Sequence, residues 1–210
     1  MVRVASNPAV ALGIKPQSTK ETAAAYLRAF ESLLHQIDLD AIDRVVRRLQ
    51  GARDRGATIY VAGNGGSAAT ASHFVNDLGK FARASGRPLI RAMSLTDNTS
   101  WLTALANDEG YERAFAGQLE NFARPGDVLI VISASGNSPN LIRAVELAAA
   151  TGVTSIALLG FDGGRLLHMA DECLWLPTEL GACGKAEDGH SLLCHVIATC
   201  LVHGEPQLRS

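Results

Sequence analysis

From residue 58 onward, short apolar segments alternate along the chain with longer segments of helical periodicity. Strands that are apolar on both faces and separated by helices are typical of a parallel sheet covered by helices on both sides. The pattern therefore predicts one α/β domain with a five-stranded, doubly wound parallel sheet. The five predicted strands are TIYVAG (58–63), LIRAMSL (89–95), DVLIVIS (127–133), TSIALLG (154–160) and ECLWLP (172–177).

Two amphipathic helices are predicted ahead of the first strand, over residues 20–36 and about 39–55. Apolar residues recur in both at three- and four-residue spacing, so each helix must pack its stripe on the domain or on another copy of the chain. The domain is expected to span residues 19–205. Residues 1–18, interrupted by two prolines, predict a flexible lead-in that lacks the apolar stretch of a signal peptide.

Composition argues against several classes of partner. Of the 210 residues, 47% are hydrophobic and 19% charged, and the formal net charge is -2. This charge and an aromatic content of 5% give no basis for binding nucleic acid. No apolar run is long enough to span a membrane. The four cysteines lack CxxC spacing, so we expect free thiols and a cytoplasmic location.

Two predicted strands run into loops rich in glycine and serine, and each loop opens a helix. The loops are Gly63–Ser67 (GNGGS) and Ser133–Ser138 (SASGNS). Glycines let backbone N–H groups approach a ligand, and a helix amino terminus attracts an anion. Neither loop is a Walker A motif or a GxGxxG fingerprint, so a single phosphate on a small molecule fits better than a nucleotide. The alternative is that Ser67 or Ser138 only caps its helix.

Histidines and carboxylates form a second group on two predicted helices. His73 and Asp77 are four residues apart, and Glu187 and His195 are eight apart, so each pair can share one helix face. Two such pairs could make a site of two histidines and two carboxylates for zinc or a similar divalent ion. The alternatives are a hydrogen-bonded core histidine at His195 and a solvated helix carboxylate at Asp77.

Three long segments resemble a known family: GNGGSAATASHF (63–74), SLTDNTSWLTALANDEGYERAFAGQLE (94–120) and ISASGNSPNLIRAVELA (132–148). Over residues 20–203 the chain is similar to the sugar isomerase (SIS) family, and within it to the phosphoheptose isomerase branch. The resemblance implies a parallel sheet between helices and a homotetramer with active sites at subunit interfaces. It also implies aldose–ketose isomerisation of sedoheptulose 7-phosphate to D-glycero-D-manno-heptose 7-phosphate, through an enediol.

The resemblance implies roles for individual residues. The metal ligands would be His73, Asp77, Glu187 and His195, which would bind one divalent ion per subunit, with zinc the expected ion. The acid and the base are expected among Asp77, Glu187 and His195, and which of them is the base stays open. The residues implied to hold the sugar and its phosphate are Asn64, Gly65, Ser67, Asp97, Asn98, Ser133, Ser135, Ser138 and Lys185.

The chain departs from the family pattern at several of these positions. Asp77 stands where the family has glutamate, Glu187 where it has glutamine, Lys185 where it has arginine, and Ala134 where it commonly has threonine. Several changes in one pocket indicate a changed substrate, such as a related heptose or octose phosphate. The alternative function is a non-catalytic tetrameric adaptor that binds a replication initiator, but the retained histidines favour an enzyme. A metal-dependent hydrolase is disfavoured because no HExxH motif is present.

Overall fold

All five strands of the sheet run parallel in the computed structural model, which describes residues 18–203. They lie in the order β2-β1-β3-β4-β5. The prediction of a five-stranded parallel α/β sheet is therefore confirmed. The strands are β1 (Thr58–Gly63), β2 (Arg91–Ser94), β3 (Val128–Ser133), β4 (Thr154–Leu159) and β5 (Glu172–Trp175).

Helices connect the strands and cover both faces of the sheet. Three short 3-10 turns, Phe81–Ser85, Tyr111–Arg113 and Arg165–His168, complete the connections. Between residues 18 and 203 the α-helices are α1 (Thr19–Leu34), α2 (Leu39–Asp54), α3 (Gly66–Gly79), α4 (Thr99–Asp108), α5 (Ala116–Phe122), α6 (Pro139–Thr151) and α7 (Cys183–His203).

Successive strand residues feed two separate hydrophobic cores. In β1, Ile59 and Val61 pack in the core beneath α2, α3 and α7, whereas Tyr60 and Ala62 pack in the core beneath α5 and α6. This alternation follows from the two-residue period of a strand. Both cores are built from apolar side chains, which explains why the strands read as continuous apolar runs.

The strand order places a topological switch between β1 and β3. From β1 the chain first adds β2 on one side and then crosses to add β3, β4 and β5 on the other. In sheets of this order a crevice opens at the carboxyl ends of the two strands that flank the switch, and ligands bind there. The loops 63–67 and 133–138 are the two that flank this crevice.

Some element boundaries differ from the predicted ones. Helix α7 begins at Cys183, four residues before the predicted start at 187, because glycines in GACGK lower the helical propensity that the sequence shows. Strand β5 ends at Trp175, ahead of Pro177, which has no N–H to give to a ladder. The predicted helix over 111–122 is a 3-10 turn followed by the shorter α5.

Helix α1 lies largely outside the cores. Ser18 caps it: its hydroxyl accepts a hydrogen bond from the Glu21 N–H at 3.2 Å. Of the residues in α1 only Leu33 is buried, and Leu27 is 67% exposed. The domain therefore covers the stripe only in part: Phe30 packs against the core, whereas Leu27 is left exposed. The predicted lead-in lies outside the described residues apart from Ser18, as do the last two residues of the predicted domain.

None of the helices between residues 18 and 203 has the combination of length and hydropathy that a membrane span requires.

Candidate active site

Helix α3 presents two chemically different faces. Ala71, Phe74 and Leu78 are buried and hold the helix on the sheet. His73 and Asp77 lie four residues apart on another face, and the His73 Nε2 is 3.5 Å from an Asp77 carboxylate oxygen. Burial of the apolar face therefore fixes the direction in which the histidine and the carboxylate point.

His195 of α7 completes a three-residue cluster with His73 and Asp77. Its Nε2 lies 3.3 Å from the His73 Nε2 and 3.7 Å from the Asp77 carboxylate oxygen. The two imidazole rings meet edge to face, with centroids 5.0 Å apart. Both histidine side chains are about half exposed, whereas Asp77 is 13% exposed. The cluster is thus open on its histidine side and anchored by the carboxylate.

The donor atoms of this cluster have the spacing of a metal site. In a tetrahedral zinc site with bonds of about 2.0–2.2 Å, neighbouring ligand atoms are about 3.3–3.6 Å apart. The three separations between His73, Asp77 and His195 are close to those values, and their ligand atoms all lie within 4.8 Å of one another. Two neutral imidazoles and one carboxylate can therefore bind a divalent ion and leave a coordination position open.

Glu187 lies at the other end of α3 from this cluster. A Cβ built on Gly66 would be 2.6 Å from a Glu187 carboxylate oxygen, so the carboxylate rests against the first residue of that helix. Gly66 and His73 are seven residues apart, about 10 Å along a helix. The structure thus brings together three of the four predicted metal ligands, and places the fourth beside the first glycine-serine loop.

The second glycine-serine loop is held in one tight conformation. Its Gly136 has a φ of +60°, and a Cβ there would lie 1.9 Å from the Gly163 carbonyl oxygen, so only glycine fits. The Ser133 hydroxyl accepts a hydrogen bond from the Gly136 N–H at 3.0 Å, and the Ser135 hydroxyl accepts one from the Asn137 N–H at 3.3 Å. Both hydroxyls keep their protons available for donation to a ligand.

Neither of the other two loop serines acts as a helix cap through its side chain. Ser138 is the N-cap residue of α6 but makes no capping side-chain hydrogen bond. Ser67 lies inside α3, behind the N-cap residue Gly65, which has a φ of +56° and no side chain. The capping alternative therefore does not describe these hydroxyls, although their binding role stays a prediction.

Asn64, in the first loop, is tied to two residues that the sequence reading did not single out. Its amide exchanges hydrogen bonds with the amide of Asn140, and its oxygen also accepts one from the Tyr111 hydroxyl at 2.8 Å. The available sequence signal was weak: Asn140 stands two residues after Ser138, in the first turn of α6.

Asp97 and Asn98 follow β2 and have different surroundings. The Asp97 carboxylate accepts hydrogen bonds from the hydroxyls of Ser72 and Thr96, which fix it beside α3, one residue before His73. The Asn98 side chain accepts a hydrogen bond from the Trp101 N–H at 3.1 Å, and so it caps α4. Asp97 is thus tied to α3 through Ser72, and the oxygen of Asn98 is engaged in capping.

Lys185 is buried, with 4% of its side chain exposed. Its ammonium group forms an ion pair with Glu179, which lowers the pKa of that carboxyl. A ligand anion would have to compete with Glu179 for this cation. The predicted role of Lys185 in substrate binding therefore requires the ligand to share the ammonium group with the Glu179 carboxylate or to displace that carboxylate.

Two titratable groups are buried on the inner side of α7. His190 is fully buried, and desolvation lowers its pKa to about 4. Burial, with a smaller contribution from the Asp77 carboxylate, raises the pKa of the Cys194 thiol. At neutral pH His190 is therefore a neutral imidazole and Cys194 a neutral thiol, and neither adds charge to the cluster.

A model of the SIS domain family matches residues 25–160 of the chain. The chain is 40% identical over 157 residues to the phosphoheptose isomerase of Akkermansia muciniphila, across 74% of this chain and 81% of that protein. It is 41% identical over 173 residues to the phosphoheptose isomerase of Thiobacillus denitrificans, across 77% of this chain and 86% of that protein.

Solved structures show the same similarity in three dimensions. The phosphoheptose isomerase of Neisseria gonorrhoeae superposes with a TM-score of 0.81 at 32% identity, over 88% of this chain and 98% of that one. The phosphoheptose isomerase of Francisella tularensis superposes with a TM-score of 0.82 at 27% identity, over 89% of this chain and 99% of that one. The likeness therefore covers nearly the whole of both solved structures.

Proposed function

The chain belongs to the SIS domain family, in its phosphoheptose isomerase branch, and we propose that it converts sedoheptulose 7-phosphate to D-glycero-D-manno-heptose 7-phosphate or isomerises a related heptose or octose phosphate. It is a sugar-phosphate isomerase by this membership. The observation that carries the more specific proposal is the cluster that His195 of α7 forms with His73 and Asp77, which lie on the helix that one glycine-serine loop opens.

The two loops would hold the phosphate end of the sugar. Ser67, Ser133, Ser135 and Ser138 supply hydroxyl donors, and the amino terminus of α3 adds a positive dipole end. Ser67 and His73 are six residues apart, about 9 Å along a helix. A phosphate gripped at the start of α3 therefore leaves the carbonyl end of an extended sugar chain near the cluster.

His73, Asp77 and His195 would hold one divalent ion per subunit, and zinc suits two imidazoles with a carboxylate. When bound, such an ion supplies positive charge that polarises the carbonyl and hydroxyl oxygens of a substrate. Asp77 interacts with both histidines, so its carboxylate holds the two rings in position as well as contributing a ligand atom.

Isomerisation needs a base to remove a proton from the carbon next to the carbonyl, and an acid to return one to the neighbouring carbon. Loss of the C–H proton, with protonation of the carbonyl oxygen, gives an enediol. Return of a proton to the former carbonyl carbon, with loss of the proton from the other enediol oxygen, gives the aldose. We assign one of these roles to His195, whose half-exposed ring is open to a ligand. The other falls to Asp77 or Glu187, the two carboxylates on the facing helices.

We also propose that the enzyme is a homotetramer in which α1 contributes to the assembly core. The exposed Leu27 of α1 supports this, because the part of an amphipathic apolar face that the domain leaves uncovered needs another partner. The four cysteines are free thiols, and we propose a cytoplasmic location, where sugar phosphates are metabolised.

A panel of phosphorylated ketoses, assayed before and after chelation and zinc return, tests the proposal. We expect turnover of sedoheptulose 7-phosphate that chelation abolishes and zinc restores. Turnover of only another ketose phosphate would show that the proposed substrate is wrong and that the proposed reaction class is right. If none of these sugars is turned over, the result would support the adaptor alternative. In that case the double variant with His73→Ala and His195→Ala should still bind the partner protein.

A further inference from the structure

We propose that Asn140 and Tyr111 are positioning residues for the phosphate-binding loops, and that they lock Asn64 of the first loop onto the start of the helix that follows the second. This inference rests on the proposed function. Neither residue was predicted to touch the substrate, and Asn140 is 1% exposed. They would act through Asn64 and through the spacing of the two loops.

The contact between Asn64 and Asn140 joins the first loop to the start of the helix that follows the second loop, across the crevice. Beyond Gly63 and Ile132, the last paired residues of β1 and β3, the strands no longer hold the two segments together. The Asn64 Nδ2 donates to the Asn140 Oδ1 at 3.0 Å, and the Asn140 Nδ2 donates to the Asn64 Oδ1 at 2.8 Å. A reciprocal amide pair fixes both distance and orientation, which one hydrogen bond does not.

A backbone donor settles the orientation of both amides. The N–H of Leu141 can only donate, and it lies 3.0 Å from the Asn140 Oδ1, so that atom is the oxygen. The other Asn140 terminal atom is therefore the NH₂ group, and it must face the oxygen of Asn64. The Tyr111 hydroxyl then donates to the same Asn64 oxygen, at 2.8 Å.

This pattern defines what Asn64 can offer to a ligand. Its oxygen accepts from both Asn140 and Tyr111, so both lone pairs of the oxygen are used. Its NH₂ group donates one proton to Asn140 and keeps a second. Asn64 therefore presents a donor to the crevice, which suits a phosphate or sugar oxygen, and it presents no free acceptor.

An isosteric substitution tests the pair. Asn140→Asp replaces the NH₂ group by an oxygen that faces the Asn64 oxygen at the 2.8 Å separation, so a hydrogen bond becomes a repulsion. We expect the KM for sedoheptulose 7-phosphate to rise roughly tenfold or more, with kcat changed less than about twofold. Tyr111→Phe removes a single hydrogen bond, and we expect a KM increase of about threefold.

The control is Asn121→Asp, the same chemical change at an exposed asparagine near the end of α5, where the side chain donates a hydrogen bond to the Gly117 carbonyl outside the crevice. Its KM should equal that of the unmodified enzyme. A merely structural role for Asn140 would lower the melting temperature and the active fraction without moving the KM. An unchanged KM in Asn140→Asp would overturn the proposal.

Binding of inorganic phosphate, measured by calorimetry, separates this inference from the proposed reaction. If the unmodified protein turns over none of the sugars but binds phosphate, the proposed function fails. In that case Asn140→Asp should still weaken phosphate binding by a similar factor, and equal affinity would contradict the positioning role. If the unmodified protein binds neither phosphate nor sugar phosphate, there is no phosphate site for these residues to position and the inference is wrong.

Discussion

The sequence predicted part of the contacts within the cluster of His73, Asp77 and His195. The spacing of four on one helix predicted that His73 and Asp77 lie together, and they do. The meeting with His195 depends on the packing of two helices that are distant in sequence. The same packing puts Glu187 beside Gly66, because eight residues along α7 span about 12 Å, so the spacing alone could not establish a four-ligand set.

His73→Ala should lower zinc affinity roughly a hundredfold or more, because it removes one of three candidate ligands. Activity should fall with it and should return only at high zinc concentration. Isothermal titration calorimetry with zinc measures the affinity of each variant. His35→Ala, which removes an exposed histidine at the end of α1, is the control and should titrate as the unmodified protein does. Equal zinc affinity in His73→Ala would contradict the assignment.

The buried His190 makes stability depend on pH. Its pKa is about 4 in the fold against 6.5 in the unfolded chain, so below pH 6.5 only the unfolded state gains the proton. Stability should therefore fall as the pH drops from 6.5 to 4, by roughly 3 kcal/mol, since each pKa unit corresponds to about 1.4 kcal/mol.

Urea unfolding at several pH values, compared between the unmodified protein and His190→Leu, measures this effect of His190. The variant should lose less stability over that range, because it has no imidazole to titrate. Parallel pH profiles for the two proteins would show that His190 is not the group responsible.

Among the elements, the two strand–loop–helix units at the switch point were the most predictable. Continuous apolar strands followed by GNGGS and SASGNS predicted both loops, and the strand order brings them to one crevice. The start of α7 was less predictable, because glycine lowers helix propensity and only tertiary packing shows that Cys183 is helical. The pairing of Asn64 with Asn140 also depends on which strands are neighbours, which no local pattern contains.

The conformation of the second loop can be tested with a matched pair of glycine variants. Gly136→Ala would put a Cβ 1.9 Å from a backbone oxygen at a φ of +60°, whereas Gly56→Ala has a φ of +69° but no atom within 4 Å. We expect about 1 kcal/mol of destabilisation from Gly56→Ala, and about 3 kcal/mol or more from Gly136→Ala.

Gly136→Ala should also raise the KM for the sugar phosphate, because Ser133 and Ser135 move with the backbone of the loop. Chemical denaturation and steady-state kinetics on both variants provide the comparison. Equal effects of the two substitutions on stability and KM would mean that the close contact of Gly136 does not shape the loop.

In the whole molecule, helix α1 keeps an apolar surface, at Leu27, that packing within one domain does not cover. The sequence predicted an apolar stripe there and left two partners open, the domain itself or another copy. Leu33 is buried and Phe30 packs against the core of the domain, which leaves another copy of the chain as the partner for the exposed Leu27. The residues of α1 do not by themselves show which surfaces meet in an assembly, and a tetramer was implied only by the resemblance to a family.

Leu27→Glu should weaken the proposed tetramer, because it places a charge on the exposed apolar face of α1. Sedimentation velocity over a range of concentrations should show smaller species than for the unmodified protein. Leu89→Glu makes the same change at another exposed leucine, outside α1, and should leave the assembly unchanged. If Leu27→Glu sedimented as the unmodified protein does, Leu27 would not lie in a subunit interface.

We propose that the groups that α3 and α7 bring together move a proton between neighbouring carbons of a phosphorylated sugar. NMR of sedoheptulose 7-phosphate incubated with zinc-loaded protein in heavy water tests it most directly. We expect an aldose heptose phosphate that carries deuterium at the carbon next to its carbonyl, with formation strongly slowed in Asp77→Asn. Bound substrate that stays unconverted, or a product formed without deuterium, would contradict it.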